Sequence, residues 1–268
     1  MALTGRQLLD RARHDQQHGE QDRDEPEADQ VELDGEEHPD HCRDDVGVVD
    51  RWATFDCYGT LIDWNAGIRA ELARIFGEDQ ASRLLARYHE LEPAIQEQEP
   101  TARYRDVMAA VLARLGSEEG VEPSGREADA LGRSLPGWPP FEEVAAELAA
   151  ASERGWRLAI LSNTDRDFID ASMERIGVPF ELAIVASEIG SYKPARGHWD
   201  TFVERTGADS SAHVHVAASL YHDIAPAAEL GIRSIWINRL GEASDLPRAR
   251  ELPDLSGLGE ELDAVVSQ

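Results

Sequence analysis

Asp56, in the run Phe55-Asp56-Cys57-Tyr58-Gly59-Thr60-Leu61, is placed to act as a carboxylate nucleophile: it closes a short apolar run and opens a turn. Such a nucleophile needs a cation close by to stay ionised, and hydrogen-bond donors that aim one oxygen at the substrate. The chain offers both at three further points. Leu161-Ser162-Asn163 carries a hydroxyl and an amide, Tyr192-Lys193-Pro194 an ammonium, and Ala218-Ser219-Leu220-Tyr221-His222-Asp223 a second acid. Lys193 is the only lysine; the other 25 basic residues are arginine. A coding bias toward arginine explains the scarcity but not the single exception. At ~4 Å and an effective dielectric near 20, a lysine holds a carboxylate charged by about 4 kcal/mol.

Positioning these groups requires a sheet. Five short apolar runs read as strands: Trp52–Phe55, Arg157–Leu161, Leu182–Ala186, His213–Ala217 and Arg233–Ile237. Runs of this kind suit parallel strands covered on both faces. Helical stripes lie between them, such as Phe168, Ile169, Met173 and Ile176 before the stop at Gly177. Alternating strand and helix predicts an α/β fold with a doubly wound, mostly parallel, Rossmann-like sheet, whose chemistry sits at the carboxyl ends of the strands. Residues 65–134 break the alternation with helix after helix (Ile68–Phe76, Ser82–Gln98, Thr101–Leu115, Gly125–Arg133), which reads as an inserted helical cap. The core is then 49–64 and 135–268.

Residues 1–48 differ from the rest. The first fifty residues hold 16 acids, 5 arginines and no aromatic side chain, which predicts a disordered acidic tail. His38, His41 and Cys42 form a metal-like cluster there, with no fold to fix a fourth ligand. The whole chain carries 53 acidic against 26 basic residues, a net charge of −27, which disfavours nucleic-acid and membrane partners. No apolar run approaches the ~18–20 residues of a membrane span. Two cysteines make no disulfide framework, so a reducing, cytoplasmic location is expected.

Taken in order, the four motifs resemble those of the haloacid dehalogenase superfamily, from Arg51 to about Arg239. The helical block resembles the small cap that this family inserts after its first motif. Its phosphatases carry a second Asp two residues after the nucleophile and a magnesium-holding Asp in the fourth motif. Here those positions are Tyr58 and Ala218. That pattern resembles the 2-haloacid dehalogenase branch, which needs no metal or other cofactor. The resemblance implies that Asp56 displaces halide from a short 2-haloalkanoate, a small carboxylate substrate, and that water then hydrolyses the aspartyl ester. It implies Thr60 and Ser162 as hydrogen-bond donors around Asp56 and the substrate, Lys193 as the neutralising cation, and Asp223 as the group that fixes Lys193. Arg87, in the cap, is implied as a halide ligand with Asn163, and Tyr58 as a further substrate contact. A homodimer is the implied assembly, with no stripe in the sequence to mark its interface.

Three positions depart from the branch: Leu220 stands for Asn, Ala218 for Ser and Trp199 for Tyr. Leu220 cannot hydrogen-bond, so Ser219 or His222 becomes the candidate for positioning the hydrolytic water. Two other functions remain open on the sequence: a Mg²⁺-dependent phosphatase on the same nucleophile, and a catalytically silent binding module. Each site residue also has a plainer reading. Ser162, Asn163 and Asp223 could cap helices, and Arg87 could be a solvated helix-surface charge. Cys57 is expected to turn away from Asp56 as a small buried hydrophobe. His213 and His215, at i and i+2 of one strand, are expected to be structural.

Overall fold

The structure, a computed structural model, describes residues 50–267. The expected acidic tail and the His38, His41 and Cys42 cluster lie outside the described residues. Strand β1 (Arg51–Phe55) is fully buried after its first residue. It therefore reads as a central strand, and it pairs in parallel on both sides. Phe55 lies opposite Ile160 of β2 (Trp156–Ser162) and opposite Val216 of β4 (His213–Ala217). β3 (Leu182–Val185) flanks β2, and β5 (Arg233–Ile237) flanks β4. A sixth strand, β6 (Arg250–Leu252), completes a parallel sheet of order β3-β2-β1-β4-β5-β6. The five expected strands are present. The sixth has no apolar run to announce it, because it is a short, partly exposed edge strand. The order reverses at β1, so a crevice forms where β1 and β4 end.

Alternation along β1 sorts the two faces of the sheet. Ala53 and Phe55 join the larger apolar cluster, while Trp52 packs with Leu161, Trp199 and Phe202 in a second one. Between β1 and β2 come α1 (Trp64–Phe76), α2 (Glu78–Gln98), α3 (Tyr104–Glu119) and the short α4 (Ala130–Ser134). α1 begins earlier than its apolar stripe because Asp63 caps it, accepting from the Ala66 N–H at 3.0 Å. The stretch expected as one helix from Gly125 to Arg133 is instead a 3-10 turn (Gly125–Glu127) followed by α4. Leu72, Leu84 and Met108 of this block share one apolar cluster with the sheet. The remaining helices are α5 (Val144–Glu153), α6 (Arg166–Ile176), α7 (Ala186–Ile189), α8 (Gly197–Thr206), α9 (Ala225–Glu229) and α10 (Leu258–Val266). Leu148 of α5 and Leu262 of α10 cover the Phe55 face, and Trp199 of α8 covers the other. Among the described residues, no helix is long and apolar enough to cross a membrane.

Gly67 is required by close approach. A Cβ on Gly67 of α1 would lie 2.3 Å from the Trp138 ring, which is itself buried. Gly67→Ala is expected to destabilise the fold by about 1–3 kcal/mol through overpacking. Urea denaturation would check this, and an unchanged midpoint would mean that the indole yields at no cost.

Candidate active site

Asp56 continues β1 by one rung, its N–H donating to the Val216 carbonyl at 3.1 Å. The chain then turns sharply through Gly59, whose φ of 88° suits a residue without a Cβ. That turn brings Thr60 back beneath the carboxylate. The Thr60 hydroxyl donates to Asp56 Oδ2 at 2.9 Å and accepts the Ala218 N–H at 2.9 Å, so its single proton is committed to Asp56. The other oxygen, Oδ1, accepts from Lys193 Nζ at 2.9 Å. Strand alternation sends Cys57 to the opposite face, where it is buried in the larger apolar cluster.

The Lys193 ammonium spends all three protons on protein acceptors: Asp56 Oδ1, the Leu161 carbonyl at 2.8 Å, and Asp223 Oδ1 at 2.6 Å. It is 1% exposed. Burial acts to lower its pKa, but the carboxylates of Asp223 and Asp56 outweigh that and hold it above its ordinary value. Burial likewise raises both acids. The closer pairing with Lys193, together with His215, leaves Asp223 well below the usual carboxylate range. Asp56 ends above its ordinary value, because burial and the charge of Asp223 outweigh Lys193 and Thr60.

Asp223 is held from behind by a chain of hydrogen bonds. His215 Nε2 lies 3.0 Å from Asp223 Oδ1, His215 Nδ1 lies 2.9 Å from Thr54 Oγ1, and His213 Nε2 lies 2.8 Å from the same hydroxyl. A carboxylate only accepts, so His215 donates from Nε2. The Thr54 hydroxyl links His215 Nδ1 to His213 Nε2. Burial depresses His213 to about 3, which keeps it neutral. These two histidines are the expected strand pair, and their structural role extends to orienting a site carboxylate. The i, i+2 spacing was visible in the sequence, but its link to Asp223 was not.

A cavity of about 520 Å³ opens above these groups, between the strand ends and the helical block. Ser162, Asn163, Tyr58, Ser219 and His222 line it together with Asp56, Lys193 and Asp223. Ser162 makes no side-chain hydrogen bond to another described residue, so its hydroxyl is uncommitted. Asn163 has a role beyond the expected one. Its Oδ1 accepts from the Lys193 N–H at 2.6 Å and its Nδ2 donates one proton to the Lys193 carbonyl at 2.9 Å, so it splints the backbone of the lysine and keeps its second Nδ2 proton for a ligand. The Tyr58 hydroxyl pairs with Ser172 Oγ at 3.0 Å, leaving the ring as its cavity surface. His222 Nδ1 lies 3.2 Å from Ser219 Oγ, and burial lowers the imidazole to about 4, so it is neutral at pH 7.

Arg87 is a correction. Its guanidinium donates to Glu118 at 2.9 Å and to the cavity-lining Glu90 at 2.7 Å, and Arg87 itself does not line the cavity. The helical face explains this. The buried positions of α2 are Ala81, Leu84, Tyr88, Glu92 and Gln96, a stripe that excludes 87. The same stripe carries a residue that the sequence reading passed over. Glu92 is buried, lines the cavity, and accepts from Gln96 Nε2 at 2.5 Å. Burial, aided by the charge of Asp56, raises it to about 8. Asp165 was missed as well. Its carboxylate receives the Tyr104 and Arg105 N–H groups, both at 3.2 Å, and so caps α3 from the sheet side.

The donor set does not suit a magnesium ion. Lys193 Nζ bridges Asp56 Oδ1 and Asp223 Oδ1, position 218 is alanine, and position 58 is a tyrosine whose hydroxyl is paired. Among the described residues, no group of three or more His, Cys, Asp or Glu side chains could hold a metal ion.

The haloacid dehalogenase-like hydrolase family matches residues 51–231, and the chain belongs to that family of hydrolases. It is 28% identical over 195 residues to haloacetate dehalogenase H-2 of Moraxella sp. (strain B), covering 71% of this chain and 87% of that one. It is 26% identical over 204 residues to the (S)-2-haloacid dehalogenase of Pseudomonas sp. (strain YL), covering 70% and 82%. Its fold matches that of the L-2-haloacid dehalogenase from Xanthobacter autotrophicus with chloropropionic acid covalently bound. The TM-score is 0.69 at 18% identity, covering 80% of this chain and 98% of the other.

Two outcomes are expected from these electrostatics. Lys193→Met leaves two buried carboxylates without their cation and should cost about 3–5 kcal/mol of stability at pH 7; a loss below about 1 kcal/mol in urea titrations would contradict the bridge. Glu92 titrates from an ordinary 4.5 to about 8 in the fold, so the unfolded chain releases this proton first as pH rises. Its contribution to stability is therefore full below about pH 4.5 and is lost up to about pH 8. Across that window the protein should lose about 1.4 kcal/mol per pH unit relative to Glu92→Gln. Parallel stability curves for the two proteins would show that Glu92 is ionised in the fold.

Proposed function

We propose that this hydrolase is a metal-independent dehalogenase of short 2-haloalkanoates, with Asp56 as nucleophile. The observation that carries the reading is a cavity-facing carboxylate, fixed by Lys193 and Thr60, with no acid at 58 or 218 to serve phosphate chemistry. The names of the Moraxella and Pseudomonas relatives support it, as does the covalent chloropropionic acid in the Xanthobacter structure.

In the first step an Asp56 oxygen bonds to C2 of the substrate as the carbon–halogen bond breaks and the halide leaves with the electron pair. Attack opposite the leaving group inverts C2. The halide takes no proton, so the absence of a general acid at position 58 costs nothing. In the second step water adds to Asp56 Cγ, the bond from Cγ to the substrate oxygen breaks, and the 2-hydroxy acid departs carrying one proton. The second proton passes to solvent and the water oxygen stays on Asp56. Ser162 supplies a free hydroxyl for the substrate carboxylate. With Leu220 unable to hydrogen-bond, the neutral His222, oriented by Ser219, and the unpartnered Asp223 Oδ2 are the groups offered to the hydrolytic water.

The test is chloride release from (S)-2-chloropropanoate in the presence of EDTA. Release should persist in the chelator and fall at least about 10³-fold in Asp56→Asn. A single turnover in ¹⁸O-water should label Asp56. An ester that forms without being released would mark an arrested hydrolytic step. If the folded protein forms no ester and releases no chloride, the dehalogenase reading is lost and a binding module takes its place.

A further inference from the structure

We infer that Glu92 is the hydrogen-bond donor that receives the departing halide, a neutral carboxylic acid doing the work expected of Arg87. The inference rests on the dehalogenase reading and names the halide site within it. An in-line displacement sends the leaving group away from Asp56, hence away from the strand ends and toward the helices that close the cavity. Those helices bring no cation to it. Among the residues lining the cavity the only permanent cation is Lys193, whose three protons are already donated to Asp56, Asp223 and the Leu161 carbonyl. Arg87 is occupied by Glu118 and Glu90. Neutral donors remain: the second Nδ2 proton of Asn163 on the core side and, from the helices, Glu92 of α2.

The atoms of Glu92 fix where its proton sits. Oε1 accepts from Gln96 Nε2, so in the neutral acid Oε1 is the carbonyl oxygen and Oε2 carries the hydrogen. Oε2 has no hydrogen-bond partner among the described residues. The surroundings favour the neutral form. The charged groups that share the cavity are Asp56 and Asp223 with Lys193 from the core, and Glu90 from the same helix. The titratable neutral groups around it are Tyr88 and His89 on α2, Tyr104 on α3, and Tyr58, Tyr192, Tyr221 and His222 from the core. No free cation is among them, so ionised Glu92 would stand uncompensated beside Asp56. As the carbon–halogen bond breaks, Oε2–H donates to the halide and keeps its proton. No proton transfer is required, and the charge balance of the displacement is unchanged.

The experiment follows single-turnover chloride release from (S)-2-chloropropanoate between about pH 6 and about pH 9.5 in the native protein, Glu92→Gln and Glu92→Ala, each checked for folding by near-ultraviolet circular dichroism. The native rate should fall as pH rises through about 8. Glu92→Gln, which keeps an N–H donor, should remain within about threefold of the native plateau and lose that fall. Glu92→Ala should be about 10–100-fold slower at every pH, in kcat more than in KM. If Glu92→Ala matches Glu92→Gln, only the removal of a charge matters and the inference is overturned. Bromide binding by calorimetry gives a readout without turnover. It should weaken at least about tenfold at high pH in the native protein, and at all pH values in Glu92→Ala. Bromide affinity indifferent to Glu92 overturns the halide site. Bromide binding that depends on Glu92 in a protein that releases no chloride would support the site and count against the dehalogenase reading instead.

Discussion

Taking the Lys193 ammonium out of water costs several kcal/mol, and the fold can bear that cost only by surrounding the charge with acceptors. It does so with a carboxylate after β1, a carbonyl at the end of β2 and a carboxylate from the helical turn that follows β4. Each acceptor is then constrained in turn. Thr60 holds the free oxygen of Asp56, His215 holds Asp223, and Asn163 splints the backbone that carries the lysine. The reactive carboxylate is therefore the visible end of a network that begins with one cation and reaches back through Thr54 to His213 inside the sheet. Such preorganisation suits displacement chemistry, where the nucleophile's orientation is set before the substrate arrives.

The helical block is tied to this network at its root. Asp165 lies three residues after Ser162 and caps α3, while the Tyr192 hydroxyl, beside Lys193, donates to the Ala102 carbonyl at 2.9 Å. The two loops that shape the charged centre thus also hold the linker into α3. Residues 102–105 therefore touch both of the loops that carry the charged centre.

Much of this was legible in the residues. The five buried strands follow from short apolar runs, and the four charged or polar motifs do converge, because strand ends in a parallel sheet meet on one edge. What escaped was decided by rotation about a helix axis or by contacts distant in sequence. Arg87 and Glu92 lie five residues apart on α2, and only the buried stripe through Leu84 and Tyr88 shows which of them faces inward. A buried Glu on an apolar stripe was the available signal. The capping of α3 by Asp165 spans some sixty residues of chain, which no local pattern reports. The edge strand β6 needs no apolar run, since pairing with β5 alone sustains it.

The arginine-rich composition has a practical corollary once Lys193 is placed. It bears the only side-chain amine in the chain, and it is buried beneath the cavity with all its protons engaged. Arginine guanidinium groups, always protonated, are poor nucleophiles. Reagents that acylate or cross-link lysine therefore find no side-chain target on the folded protein, and acylation at position 193 becomes a direct chemical signal that the charged centre has come apart.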